Sequence, residues 1–265
     1  MLTKIFTAST IGLEAQLIEV EIDLSASLPG IVVVGLPDKA VQESKERIRA
    51  ALKQSGFDFP VGKITVNLAP ADIIKTGTGF DLAIAVGILQ ITGVLADLDN
   101  RTLFVGELAL DGRIRGVNGI LTICLWARNN GFERVFLPSD NVQEASLVRG
   151  IELFAPQTLS QLVEHLQVVK LQSQNYSKIQ NSRSSSKINS NQNESQNSSI
   201  LLPIEPINLA LFEQNLYPNL TSNSTISNSK NNSNPAIPNE KIPKLENENG
   251  KNKINKLLEL LELFE

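Results

Sequence analysis

The stretch NLAPADIIKTGTGFDLAIA, residues 67–85, places an apolar strand, a Lys75-Thr76-Gly77-Thr78-Gly79 turn and an apolar helix in direct succession. Such a junction can cradle a phosphate, carry a nucleophile or simply turn a corner. Glycine permits close backbone approach and a helix N-terminus offers free N–H groups, so an anion suits it chemically. The spacing speaks against that reading. A P-loop needs Gly, four residues and then Gly-Lys-Ser/Thr, and no such string occurs in the 265 residues. GTGFDL lacks the third glycine of a dinucleotide fingerprint, because Leu82 stands there. Asp81 would repel a phosphate while stabilising the helix start as a cap and through the macrodipole. The expectation is a turn and a cap, with no cofactor-binding residue.

Outward from this junction, alternation of β-branched and polar residues predicts strands at Leu2–Thr7, Glu14–Leu24 and Gly30–Val34, arranged as an antiparallel meander. Asp38 offers an N-cap for a helix that puts Val41, Ile48, Ala51 and Leu52 on one face and stops at Gly56. KITVNL (63–68) reads as a strand and DLAIAVGILQIT (81–92) as a helix packed on several sides. Further on come a strand at Leu103–Leu110, a hairpin at Asp111-Gly112, a helix at Ile120–Asn129 and short strands at Arg134–Leu137 and Ile151–Phe154. The short strands flank a helix at Asn141–Val148, and a helix at Leu159–Leu166 follows. Strands followed by alternating helices and strands describe an α+β fold of mixed α/β layers.

Composition divides the chain. Of residues 171–200, 16 are Asn or Ser, too polar a run to offset the entropy of ordering it. Residues 1–169 therefore read as one folded domain, 170–250 as a disordered tail, and KNKINKLLELLELFE (251–265) as an amphipathic helix in need of a partner. One cysteine, Cys124, cannot form an internal disulfide, and with His165 alone beside it there is no ordinary zinc set. The start of the chain lacks the apolar run of a signal peptide, and nowhere do about 18 apolar residues follow one another. A cytoplasmic protein without membrane contact is expected.

Catalytic constellations are absent from the pattern. His165, beside Glu164, reads as a solvated helical histidine, and Cys124, between Ile123 and Leu125, as an inert buried thiol. Asp72, Asp81, Glu107 and Asp111 read as surface or cap carboxylates. Arg47, Arg49, Arg113 and Arg115 are the candidates for nucleic-acid contact, yet Glu43 and Glu46 share the first pair's helix, as on an ion-paired face. The net charge of −4 supplies no global basic field.

Two longer strings carry a resemblance. LPGIVVVGLPDKAVQESKERIRAALKQSGFDFPVGKITVNLAPADIIKTGTGFDLAIAVGIL and LFVGELALDGRIRGVNGIL resemble the N-terminal domain of magnesium-chelatase-like AAA+ ATPases of the YifB/ComM type, over residues 1–166. The resemblance implies a fold similar to the proteolytic domain of Lon, within the ribosomal protein S5 domain 2-like group. It also implies, for longer relatives, an ATPase module using ATP and magnesium, and a role in DNA processing during natural transformation. Magnesium chelation is implied only through relatedness of that module. In Lon the equivalent loop carries a serine nucleophile and a later helix its lysine. Matching KTGTGFDL and GVNGILTICL places Gly79 and Leu121 at those positions, so neither group of the pair is present.

Three readings follow. In the first, the domain is a non-catalytic accessory or assembly domain, partnered by an AAA+ ATPase module or by further copies of itself, with no catalytic or metal residue and no cofactor of its own. In the second, a residual Lon-like peptidase acts through Thr78 and Lys75. In the third, an S5-like module binds DNA through the four arginines.

Overall fold

The computed structural model describes residues 2–170 and 201–204, which fall within one unit, Met1–Pro218. Its centre is a seven-stranded mixed sheet in the order β3-β4-β2-β1-β5-β8-β9. The strands are β1 (Leu2–Ile11), β2 (Glu14–Ser25), β3 (Gly30–Val34), β4 (Lys63–Ala69), β5 (Thr102–Phe104), β8 (Arg134–Phe136) and β9 (Glu152–Phe154). A separate hairpin pairs β6 (Glu107–Leu108) with β7 (Ile114–Arg115) through the turn expected at Asp111-Gly112. Helices α1 (Lys39–Gln54), α2 (Asp81–Ile91), α3 (Ile120–Asn129) and α4 (Val142–Ala145) complete the layers, and residues 159–170 are helical. The expectation of an α+β fold with mixed layers holds.

The meander is corrected. β1 and β2 pair antiparallel from Leu2↔Asp23 to Ile11↔Glu14, but β3 does not follow beside β2. Instead β4 lies between them, antiparallel to β2 and parallel to β3. The reason is α1: a helix with one apolar stripe must cover the sheet, and crossing it returns the chain parallel to the strand it left. The stripe buries Val41, Ile48, Ala51 and Leu52, and the Asp38 carboxylate accepts the Val41 N–H at 2.8 Å, so both features of this helix were legible.

Every residue of α2 except Gln90 is buried. Glycine lets α2 lie close on β1 and β2: a Cβ on Gly87 would lie 2.5 Å from Ile22 Cδ1 and 3.2 Å from Ile5 Cγ1, so those side chains would have to shift. The single strand expected at Leu103–Leu110 is broken at Gly106. Its N–H donates to Gly79 O and its carbonyl accepts the Leu82 N–H, both at 3.0 Å, so the chain leaves the sheet to meet the start of α2. The helix expected at Asn141–Val148 is shorter, a 3-10 turn at Ser139–Asn141 followed by α4.

Most of the expected tail, and the helix expected at 251–265, lie outside the described residues. Residues 201–204 do not. Leu201 packs against the core, and the Ile204 N–H donates to Leu153 O on β9 at 2.7 Å. Leu-Leu-Pro-Ile is an apolar stretch after a polar run, and it packs on the domain.

Gly35 tests the β3–α1 junction. At φ +96° a Cβ there would stand 2.2 Å from the carbonyl oxygen of Leu68, so Gly35→Ala should cost about 3 kcal/mol in denaturant unfolding. Gly131→Ala, at φ +80° with open space around it, should cost only about 1 kcal/mol.

Candidate functional site

The loop after β4 is built against the β3–α1 turn. Lys75 N–H donates to Leu36 O at 3.1 Å and Lys75 O accepts the Asp38 N–H at 2.9 Å. Asp38 then serves two segments at once: one carboxylate oxygen caps α1 and the other accepts the Gly77 N–H at 3.0 Å. Thr76 and Gly77 are exposed at the crest, and Thr78 and Gly79 are half-buried as the chain enters α2. Thr78 O accepts the Asp81 N–H at 3.3 Å. The amides of this corner are thus used to fasten one loop to another.

Lys75 is the surprise of the loop. Its side chain is buried, its ammonium donates to the Pro70 carbonyl, and burial lowers its pKa against the opposing pull of Asp72. The sequence reading offered Lys75 as a base for Thr78, but the structure directs the amine back along its own loop. At Gly79 a Cβ would meet Val117 Cγ1 at 3.7 Å and Val105 Cγ1 at 3.8 Å, which are ordinary contacts. Space is therefore not what keeps a serine from this position. Leu121 is buried in α3, within an apolar helix.

Asp81 is corrected from a surface cap to a fully buried charge. The N-cap position belongs to Phe80, while the Asp81 carboxylate faces inward to Arg47 of α1, with Nε–Oδ2 at 2.7 Å and Nη2–Oδ1 at 3.0 Å. It also accepts the Leu108 N–H at 3.2 Å. Burial outweighs these favourable partners and raises the carboxyl pKa to about 6, whereas Arg47 is held more firmly protonated by Asp81. The signal was present: a lone carboxylate heading an otherwise apolar helix needs a buried partner. Glu107 and Asp111 carry out surface roles, bound to Arg115 and Arg113.

The four candidate arginines do not form a free cationic surface. Arg47 is committed to Asp81, with Nη2 also donating to Ala40 O. The Arg49 guanidinium lies 4.7 Å from the centre of the Phe59 ring. Arg113 pairs with Asp111 at 2.8 Å and Arg115 with Glu107 at 3.5 Å. An open depression of about 620 Å³ adjoins Pro70, but Glu14 and Glu19 line it beside Trp126, a charge unsuited to phosphates.

His165 is a second correction. It is 4% exposed, not solvated, and packs against Phe136 and Phe154 with ring centres 5.6 and 5.1 Å away. Its Nδ1 accepts the Leu201 N–H at 3.0 Å, and burial followed by the charge of Arg134 lowers its pKa. Glu164 beside it made the position look wet, yet adjacent helical residues point to different faces. Cys124 is fully buried as expected, its thiol pushed up to about 12 by burial. Among the described residues no group of His, Cys, Asp or Glu is placed to hold a metal, and no helix is long and apolar enough to cross a membrane.

Comparison with known proteins agrees with this architecture. Residues 20–141 match the family described as subunit ChlI of Mg-chelatase. Competence protein ComM of Haemophilus influenzae is 41% identical over 166 residues, 62% of this chain and 32% of that protein. Escherichia coli YifB is 40% identical over 151 residues, 56% of this chain and 29% of that protein. Lon protease 2 of Bacillus subtilis is 25% identical over 171 residues, 58% of this chain and 30% of that protein. The chain thus spans about a third of the length of the curated relatives it matches.

Two substitutions examine the site. Arg47→Ala should cost roughly 3–5 kcal/mol at pH 7.5, because it strands a buried carboxylate. The loss should shrink below about pH 6, where Asp81 takes up its proton; urea unfolding at both pH values checks this. Gly79→Ser should change stability by less than about 1 kcal/mol and yield no casein cleavage, since the amine of Lys75 is held by Pro70.

Proposed function

Because its N-terminal part belongs to the YifB/ComM magnesium-chelatase-like family, we propose that this chain supplies a non-catalytic assembly domain for an AAA+ ATPase module. The observation that carries the reading is the corner at Lys75–Gly79. Lys75 is buried and bound to Pro70 O, Asp38 ties the crest down, and the resemblance implies Gly79 at the position of a nucleophile. An enzyme corner would keep a reactive group pointed at a cleft. The result is a fastened, exposed crest, suited to recognising another protein.

The name of ComM links that relative to competence, and the proposed role here is in the same DNA processing, with ATP and magnesium handled by the partner module. DNA contact by this domain is the weaker reading. Three of its four candidate arginines are neutralised by carboxylates and the fourth lies on an aromatic ring. Such pairing removes the free cations that displace counterions from nucleic acid.

The test uses the full 265-residue chain and a YifB/ComM-type ATPase deleted of its own N-terminal domain. The expected result is co-elution with a larger assembly by light scattering, with no ATP turnover by the chain alone. Separate elution at micromolar concentrations of both would overturn the proposal.

A further inference from the structure

The two edges of the central sheet are treated differently. β3 forms one edge, with Val32 and Val34 two-fifths exposed, while β9 forms the other. Along a parallel strand, alternate residues aim their backbone groups at opposite neighbours. Glu152 N–H donates to Glu133 O and Phe154 O accepts the Leu137 N–H, both towards the β8 side. Leu153 between them faces outward, and its carbonyl accepts the Ile204 N–H. Three residues earlier in that segment, the Leu201 N–H is accepted by Nδ1 of His165.

The inner wall of this edge is apolar and aromatic. Leu153 and Phe154 are buried, the imidazole of His165 rests on Phe136 and Phe154, and Leu201 packs against the core. The segment meets it by turns: Leu201 and Ile204 are half-buried while Leu202 is 81% exposed and Pro203 is exposed. Two backbone N–H groups and two half-buried side chains therefore define what is recognised. A buried imidazole nitrogen with one acceptor lone pair is an unusual partner for a backbone amide, and it sets the position of the first residue.

We propose that the β9 edge and His165 form a docking site for an extended apolar peptide, and that Leu201–Ile204 is its occupant in this chain. The required ligand has an aliphatic residue with a free N–H at its first position and another at its fourth. Proline is accepted at the third position, where no N–H is called upon. One main-chain hydrogen bond to the edge strand and one to the imidazole hold the backbone, while the Leu201 side chain packs against the core. The segment also occupies part of an otherwise open sheet edge. The site is independent of the assembly role proposed above and stands or falls without an ATPase present.

The experiment frees the site in the full-length chain with Leu201→Asp/Ile204→Asp and adds a fluorescein-labelled peptide of residues 198–205, SSILLPIE. The freed chain should bind the peptide at least tenfold more tightly than wild type by fluorescence anisotropy, and Leu202→Glu should behave as wild type. The chain holds a single histidine, so its imidazole resonance should shift when the peptide binds. Absence of binding by the freed chain with a wild-type circular dichroism spectrum, equal binding by both chains, or an unmoved imidazole signal would each overturn the proposal. Hydrogen exchange on the unaltered chain gives a check that no substitution can compromise. The Leu201 and Ile204 amides should exchange at least tenfold slower than in the free peptide, and exchange at the peptide's rate would overturn it.

Discussion

A buried carboxylate with one guanidinium to meet it sets the geometry of the whole domain. Asp81 begins an apolar helix and would be costly to bury alone. Arg47 reaches it from α1, and the Leu108 amide reaches it from β6, so three elements converge on one side chain. Apolar faces tolerate sliding, because burial is indifferent to small changes of register. The charge is not indifferent: only one placement of α1 over α2 brings the fork of Arg47 to both carboxylate oxygens. The ion pair thereby fixes where α1 lies, and α1 in turn fixes the turn that supports the Lys75–Gly79 loop.

Much of this was legible in the chain. The apolar spacing of α1, its Asp38 cap, the buried character of α2 and the Asp111-Gly112 hairpin all follow from local chemistry, which acts over a few residues. Strand order was not, because β4 enters between β2 and β3 through a crossover whose destination no local pattern records. The same limit explains the site. Lys75, Asp81 and His165 are polar residues, and in sequence a polar residue reads as exposed. Each is buried because a partner distant in sequence or along the loop receives it: the Pro70 carbonyl, Arg47, and the Leu201 amide.

The corner at residues 75–79 is held by its backbone more than by its side chains. A nucleophile and its base are two side chains, whereas the loop that presents them rests on backbone hydrogen bonds to neighbouring turns. Here the hydrogen bonds of Lys75, Gly77 and Gly79 join the loop to the β3–α1 turn and to Gly106. The space beside Gly79 would admit a Cβ at ordinary contact distances from Val117 and Val105. A loop held in this way presents a defined surface, and the first of the two proposals rests on it.

Asp38 has a final consequence. Its two carboxylate oxygens hold the Val41 amide at the start of α1 and the Gly77 amide at the crest of the loop. Neither contact can be given up without disturbing the side chain that makes the other. The first turn of the helix and the tip of the loop therefore belong to one cooperative opening unit, although 36 residues of chain separate the two amides. A ligand or partner that grips the exposed crest will steady the N-terminus of α1 as it does so, giving the far side of the helix a mechanical report of what is bound at the loop.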